Sequence, residues 1–173
     1  HPAHVLADCA GADTAIVVGR RGIGELKHRV VGSVSRYLAT HATGPVVIVP
    51  EGWTARPVRD IVVGFDGSEY AQAALAWALQ IAPPDAQVRL LVAVDVIPWL
   101  RPELVVERHP EEVAAARDRI AAAADEIDPE GVASREFVVD GPREALAREL
   151  ASADLVVVGP RGIGGLARML LGS

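Results

Sequence analysis

Two stretches of this chain repeat nearly the same pattern of glycines. The sequence reads IVVGRRGIGELKHRVVGS over 16–33 and VVVGPRGIGGLARMLLGS over 156–173. Each contains an apolar run, a glycine, two residues, a second glycine, nine residues and a Gly-Ser pair. Glycine-rich turns expose backbone N–H groups, and a Gly-Ser pair can begin a helix whose N-terminus attracts an anion. The pattern predicts two phosphate-binding turns, although for one copy alone an ordinary strand–loop connection is an equally good interpretation.

The elements that would position these turns follow from the alternation of apolar runs and amphipathic segments. Ser33 is predicted as the N-cap of one helix, and Ser68 or Asp66 as the cap of another that ends before Pro83. Strands that alternate with helices in this way predict right-handed β-α-β crossovers and an open parallel sheet. The predicted helices cover 5–12, 34–43, 69–82, 111–127 and 142–150, and the strands cover 15–18, 46–49, 60–65, 87–96, 136–139 and 155–158.

The repetition also predicts the domain organisation. Gly19 and Gly159 lie 140 residues apart in a chain of 173 residues, so the chain holds one repeat period and an overlap. We therefore expect residues 1–50 to be the C-terminal part of a first repeat and 51–58 to be a linker. Residues 59–173 would be a second repeat that lacks its last helix and strand.

The composition limits the possible classes of protein. Half of the residues are apolar but only 4% are aromatic, which suits a core of Val, Ala, Leu and Ile in a parallel sheet. The net charge of −6 argues against a nucleic-acid partner, and no apolar run is long enough to cross a bilayer. A single cysteine, Cys9, excludes a disulfide framework, so a soluble protein of a reducing cytoplasm is expected.

A ligand of an open parallel sheet binds beyond the carboxyl ends of the strands, where the strand order reverses. The residues expected there are Asp66, 92–95, 140–142 and the second glycine stretch. Asp66 could accept hydrogen bonds from a ribose, the end of the second strand could line an adenine pocket, and the glycine stretch could hold phosphates. Asp66 has an alternative role as the cap of a helix in an Asp-Gly-Ser turn.

Other kinds of site receive less support. The GxxxxGK[ST] spacing of a P-loop is absent, and the one lysine, Lys27, does not follow a glycine run. His1 and His4 could chelate a metal, but His28, His41 and His109 are scattered, so no metal site is expected.

The motifs VVGFDGS at 62–68 and VDGP at 139–142, together with the two glycine stretches, resemble the universal stress protein family. The glycine pattern is similar to the ATP-binding signature of that family's nucleotide-binding branch. The resemblance implies an α/β fold with a five-stranded parallel sheet and helices on both faces, of the adenine-nucleotide hydrolase-like type. Two repeats in one chain imply the tandem form.

The resemblance also implies a cofactor, ATP with or without Mg²⁺, and a set of residues that bind it. Asp66 would contact the nucleoside, and the backbone of Ala93 would contact adenine. Gly141 belongs to the same set through the VDGP motif. The phosphates would be held by Gly159, Gly162, Gly172 and Ser173 in the second repeat, and by Gly19, Gly22, Gly32, Ser33 and Ser35 in the first.

The chain departs from the family pattern at both repeats. The first has no counterpart of Asp66, His1 stands where Gly141 stands in the second, and the second stops before its last helix. Either another segment or chain supplies the missing helix and strand, which we favour, or residues 34–49 fold back onto 59–158 as a permuted sheet. Because the fifth strand commonly forms the dimer contact in this family, we expect a homodimer or a repeat–repeat pair joined through that strand.

Three functions are compatible with these observations. The first is an ATP-binding protein with a regulatory role in the stress response. The second, a slow ATP hydrolase, is less favoured because the expected phosphate loop of the second repeat carries arginines but no acid beside the γ-phosphate. The third is an interaction module of the same fold that binds no nucleotide.

Overall fold

The computed structural model describes residues 2–11, 14–20, 32–94, 110–139 and 141–160. These residues group into two compact units, one that extends to Arg56 and one that begins at Pro57. The boundary lies inside the predicted linker 51–58.

The first unit contains a pair of parallel strands and two helices. Its elements are α1 (Pro2–Cys9), β1 (Ile16–Gly19), α2 (Ser33–His41) and β2 (Val46–Val49). The strands pair in register from Ile16 opposite Val46 to Gly19 opposite Val49. Ala10, Ile16 and Leu38 form its buried core. Helix α1 begins earlier than predicted, because proline is well tolerated in the first turn of a helix.

The second unit is a four-stranded parallel sheet with helical crossovers. Its strand order is β5-β4-β3-β6, so the predicted parallel α/β architecture is confirmed. The connections from β3 to β5 move outward on one side of β3, and the chain then crosses back to place β6 on the other side. The elements are β3 (Asp60–Gly64), α3 (Glu69–Ile81), β4 (Gln87–Val94), α4 (Pro110–Ile127), β5 (Ser134–Val139), α5 (Pro142–Ser152) and β6 (Leu155–Val157).

The sheets differ from the single five-stranded sheet that was expected. Among the described residues, one sheet has four strands and the other has two. Strand β2 pairs with β1, because the β1-α2-β2 crossover returns it to the strand that precedes it. The permuted sheet, in which residues 34–49 complete residues 59–158, is therefore not the arrangement in the structure.

The core of the second unit explains why its elements form where they do. Ile61, Val62 and Val63 of β3 have no exposed surface, as expected for a strand covered on both faces. Helix α3 is capped by Ser68, whose hydroxyl accepts a hydrogen bond from the N–H of Ala71 at 3.2 Å. Four residues at helical spacing, Ala71, Ala74, Leu75 and Ala78, are buried and form its apolar stripe.

The amino ends of the strands are joined by a cluster of charges around Arg89 of β4. The guanidinium donates to both carboxylate oxygens of Asp60 at 2.9 Å, to Glu149 of α5 at 2.8 Å and to Glu136 of β5 at 3.2 Å. The hydrogen bond with Asp60 has the largest effect on Arg89 and raises its pKa, burial acts in the opposite direction, and Glu149 adds to the increase. One cation thus links three elements to β4.

Replacing Arg89 with methionine should lower the free energy of unfolding by about 1–3 kcal/mol, because three carboxylates lose their shared cation. The matched control is Arg59→Met, since the Arg59 side chain is 69% exposed and its ion pair with Asp85 spans 3.5 Å. That control should change stability by less than about 0.5 kcal/mol. Urea denaturation followed by circular dichroism measures both, and equal effects would contradict the special role of Arg89.

Candidate functional site

The carboxyl edge of the four-stranded sheet carries one predicted site residue at the end of every strand. Gly141 follows β5, Ala93 is the next-to-last residue of β4, Asp66 follows β3 and Gly159 follows β6. Because all four strands are parallel, these positions lie along one edge. The structure therefore brings together four of the residues predicted to bind the cofactor.

Strands β3 and β6 form the point at which the strand order reverses. They are neighbours in the sheet, with Val63 opposite Val157. Asp66 is three residues beyond Val63 and Gly159 is two beyond Val157, so both lie just past the same edge. A crevice at this point is the usual ligand site of an open parallel sheet.

Asp66 begins the tight turn that connects β3 to α3. Its Oδ1 accepts a hydrogen bond from the N–H of Ser68 at 3.0 Å. Between them, Gly67 has a φ of +79°, which favours glycine. Ser68 caps the helix, so of the two predicted caps the structure uses Ser68. A carboxylate can accept about four hydrogen bonds, so the contact of half-buried Asp66 with Ser68 is compatible with a ribose hydroxyl as a further donor.

Gly159 packs directly against the first turn of α3. A Cβ atom placed on Gly159 would lie 2.8 Å from the carbonyl carbon, the carbonyl oxygen and the Cβ of Tyr70. Real Cβ atoms essentially never come so close. A glycine is therefore required here by packing, independently of any phosphate.

Replacing Gly159 with alanine should destabilise the second unit by about 1–3 kcal/mol, because the new methyl group overlaps backbone atoms that cannot move aside cheaply. Gly141→Ser is the matched control at the same edge. There the nearest neighbour is the end of the flexible Glu144 side chain, and serine is a good N-cap for α5. The control should change the free energy of unfolding by less than about 0.5 kcal/mol. Thermal unfolding compares the two variants, and an equally stable Gly159→Ala would contradict the packing argument.

In the first unit, the first glycine stretch leads from β1 to α2, and the structure describes its two ends. The N–H of Gly32 donates to the carbonyl of Arg20 at 2.8 Å. Gly32, with φ −57° and ψ 149°, is the N-cap of α2. The prediction of Ser33 as the cap is wrong, because the bond between Gly32 and Arg20 places the non-helical residue one position earlier.

The N-terminus of α2 has the properties expected of an anion site. Its N-cap, Gly32, has no side chain that could cap it, and the first N–H groups of a helix have no partner within the helix. The helix dipole adds partial positive charge at this end. Gly19, Gly32 and Ser33, three of the predicted phosphate ligands, lie at this junction. Ser35 is buried, and its hydroxyl donates to the carbonyl of Gly19 at 2.8 Å.

Four predicted phosphate ligands, Gly22, Gly162, Gly172 and Ser173, lie outside the described residues. Two contacts of the site were not predicted from the sequence. The approach of Gly159 to Tyr70 depends on β6 lying beside β3, which periodicity does not reveal. The bond between Ser35 and Gly19 depends on where α2 begins.

Two properties of the described residues bear on other classes of function. None of the described helices combines the length and apolar character needed to cross a membrane. Within the same residues, no three His, Cys, Asp or Glu side chains are grouped so that they could hold a metal ion.

Comparison with protein families gives a match to the universal stress protein family over residues 5–50 and 57–173. The chain belongs to this family. Universal stress protein Rv2005c from Mycobacterium tuberculosis is 32% identical, over 99% of this chain and 60% of that protein. Universal stress protein Rv2623 from the same species is 35% identical, over 97% of this chain and 58% of that protein. The chain therefore spans about three-fifths of the length of these universal stress proteins.

A solved universal stress protein has a similar fold. The structure of UspA from Lactobacillus plantarum superposes with a TM-score of 0.50 and 25% identity. The superposition covers 69% of this chain and 88% of UspA. This agreement supports the parallel α/β architecture.

Proposed function

We propose that this chain is an ATP-binding universal stress protein with a regulatory role in the stress response. The observation that supports this most strongly is the placement of Asp66 and Gly159 on either side of the strand reversal. Ala93 and Gly141 lie along the same edge. A nucleotide needs an acceptor for its ribose, backbone groups for its base and amide donors for its phosphates, and this edge has residues of each kind.

Each residue of the edge has a specific role in this proposal. The Asp66 carboxylate accepts hydrogen bonds from the ribose hydroxyls, and the backbone of Ala93 meets adenine. Gly141 lies at the turn after β5, and Gly159 begins the stretch that holds the phosphates. In the first unit, Gly19, Gly32 and Ser33 lie at the N-terminus of α2, whose N-cap is a glycine and where a phosphate would be stabilised.

The proposed cofactor is ATP with or without Mg²⁺. Because Mg²⁺ in nucleotide sites is commonly held by phosphate oxygens and water, it needs no cluster of protein ligands. We favour regulation by nucleotide binding over hydrolysis. The stretch 159–173 contains Arg161 and Arg168 but no acidic residue that could orient an attacking water.

We also propose that the chain acts in the cytoplasm and that it has the tandem form. The tandem form is supported by the two separate segments matched by the family, 5–50 and 57–173, and by the 140-residue spacing of Gly19 and Gly159. The parallel pair β1–β2 has the arrangement of a fourth and a fifth strand. Among the described residues β6 has a strand on one side only. A homodimer or a repeat–repeat pair joined through a fifth strand would cover its other edge.

Calorimetric titration of ATP into the chain tests the proposal. Asp66→Ala should weaken ATP binding roughly 10- to 100-fold, because a charged acceptor of hydrogen bonds is lost. Ser68→Ala is the matched control in the same turn. It should lower stability by about 1 kcal/mol through the loss of the cap while leaving the affinity unchanged.

The same titration identifies the other two functions. Absence of saturable binding at millimolar ATP would overturn the proposal and favour an interaction module. Release of phosphate that disappears in the Asp66→Ala protein would instead show a hydrolase.

A further inference from the structure

The two described ends of the first glycine stretch are tied to the β1–β2 sheet by backbone hydrogen bonds. The N–H of Arg20 donates to the carbonyl of Val49 at 2.8 Å, and the N–H of Gly32 donates to the carbonyl of Arg20 at 2.8 Å. The chain leaves β1 at Arg20 and enters α2 after Gly32. These two bonds therefore hold the exit and the return of the stretch side by side.

Ser35 adds a side-chain bond to the same junction. Its hydroxyl donates to the carbonyl of Gly19 at 2.8 Å, across a sequence separation of 16 residues, and the residue is only 3% exposed. A serine hydroxyl has a single proton. Because this proton is directed to Gly19, the Ser35 side chain cannot donate it to a phosphate oxygen as well.

Ser33 differs from Ser35 in burial. It is exposed and is the first residue of α2, which follows the N-cap Gly32. Its hydroxyl can therefore donate to an anion bound at the N-terminus of α2. The two serines of the GSVS sequence thus have separate roles.

We propose that Ser35 is a positioning residue of the first glycine stretch and not one of its phosphate ligands. Its hydroxyl holds Gly19 against the first turn of α2, so that the N–H groups at the start of α2 stay in one place relative to β1. Ser33 is the side chain that donates to the anion. The inference rests on the proposed function, in which the anion is the phosphate chain of a nucleotide.

Hydrogen exchange of the chain without any ligand tests the positioning role. Ser35→Ala should speed exchange of the Gly32 amide roughly 2- to 10-fold, the range expected from the loss of one hydrogen bond, and Ser35→Thr should restore protection. The matched control is Thr40→Ala. Thr40 lies on the same helix, and its hydroxyl can donate to the carbonyl of either Arg36 or Tyr37, at 3.1 or 3.0 Å. The control should leave Gly32 unchanged.

Exchange at Leu38, which is completely buried in the same unit, separates a local effect from a general loss of stability. A rise confined to Gly32 supports the proposal. Equal rises at Gly32 and Leu38, or no rise at Gly32, would overturn it.

Titration with inorganic triphosphate, followed through the amide resonances of Gly32 and Ser33, tests the separate roles. Ser33→Ala should weaken binding several-fold with unchanged exchange in the free protein, whereas Ser35→Ala should change both. If Ser35→Ala weakens triphosphate binding but leaves amide exchange unchanged, Ser35 is a direct ligand and the proposal is wrong. If Ser35→Ala speeds exchange but leaves the affinity unchanged, the bond between Ser35 and Gly19 does not contribute to anion binding, which also contradicts the proposal. If these amides of the unmodified chain do not respond, the proposed function fails at this stretch, while the ligand-free exchange still decides whether Ser35 fixes Gly19.

Discussion

The second unit depends on the complete burial of β3 in the middle of its sheet. A strand covered on both faces has no water for its backbone polar groups, so it must bond to a neighbour on each edge. The neighbours are β4 and β6, and the crossovers that reach them run in opposite directions. The strand reversal at β3 and β6, beyond which the candidate site lies, is therefore a consequence of the same packing that stabilises the core.

This dependence explains which parts of the fold were predictable from the sequence. The β-α-β alternation, the α3 stripe and the Ser68 cap follow from local apolar spacing and capping chemistry, and the structure agrees with them. The strand order and the split into sheets of four and two strands depend on contacts between distant residues. The N-cap of α2 is a small case of the same limit, since propensity favours Ser33 and a bond from Gly32 to Arg20 decides otherwise.

The candidate site shows the same division. Asp66 and Gly159 were assigned to one edge because parallel strands end together, and they lie there. The reason why residue 159 is a glycine was only half predicted, since its closeness to Tyr70 is a demand of packing. In the first unit, the buried hydroxyl of Ser35 satisfies a backbone carbonyl, a contact that no spacing rule reveals. The two glycine stretches thus have similar sequences, but different local contacts fix their structures.

The Arg89 cluster lies at the amino ends of the strands, whereas the candidate site lies at their carboxyl ends. Substitutions at the carboxyl ends of the strands are thus separated by the length of a strand from the charged side chains that link the amino ends. Lineages of this fold can consequently exchange the side chains that meet a ligand while the framework remains intact. Such a division would let one scaffold diversify its ligand preference by gradual drift.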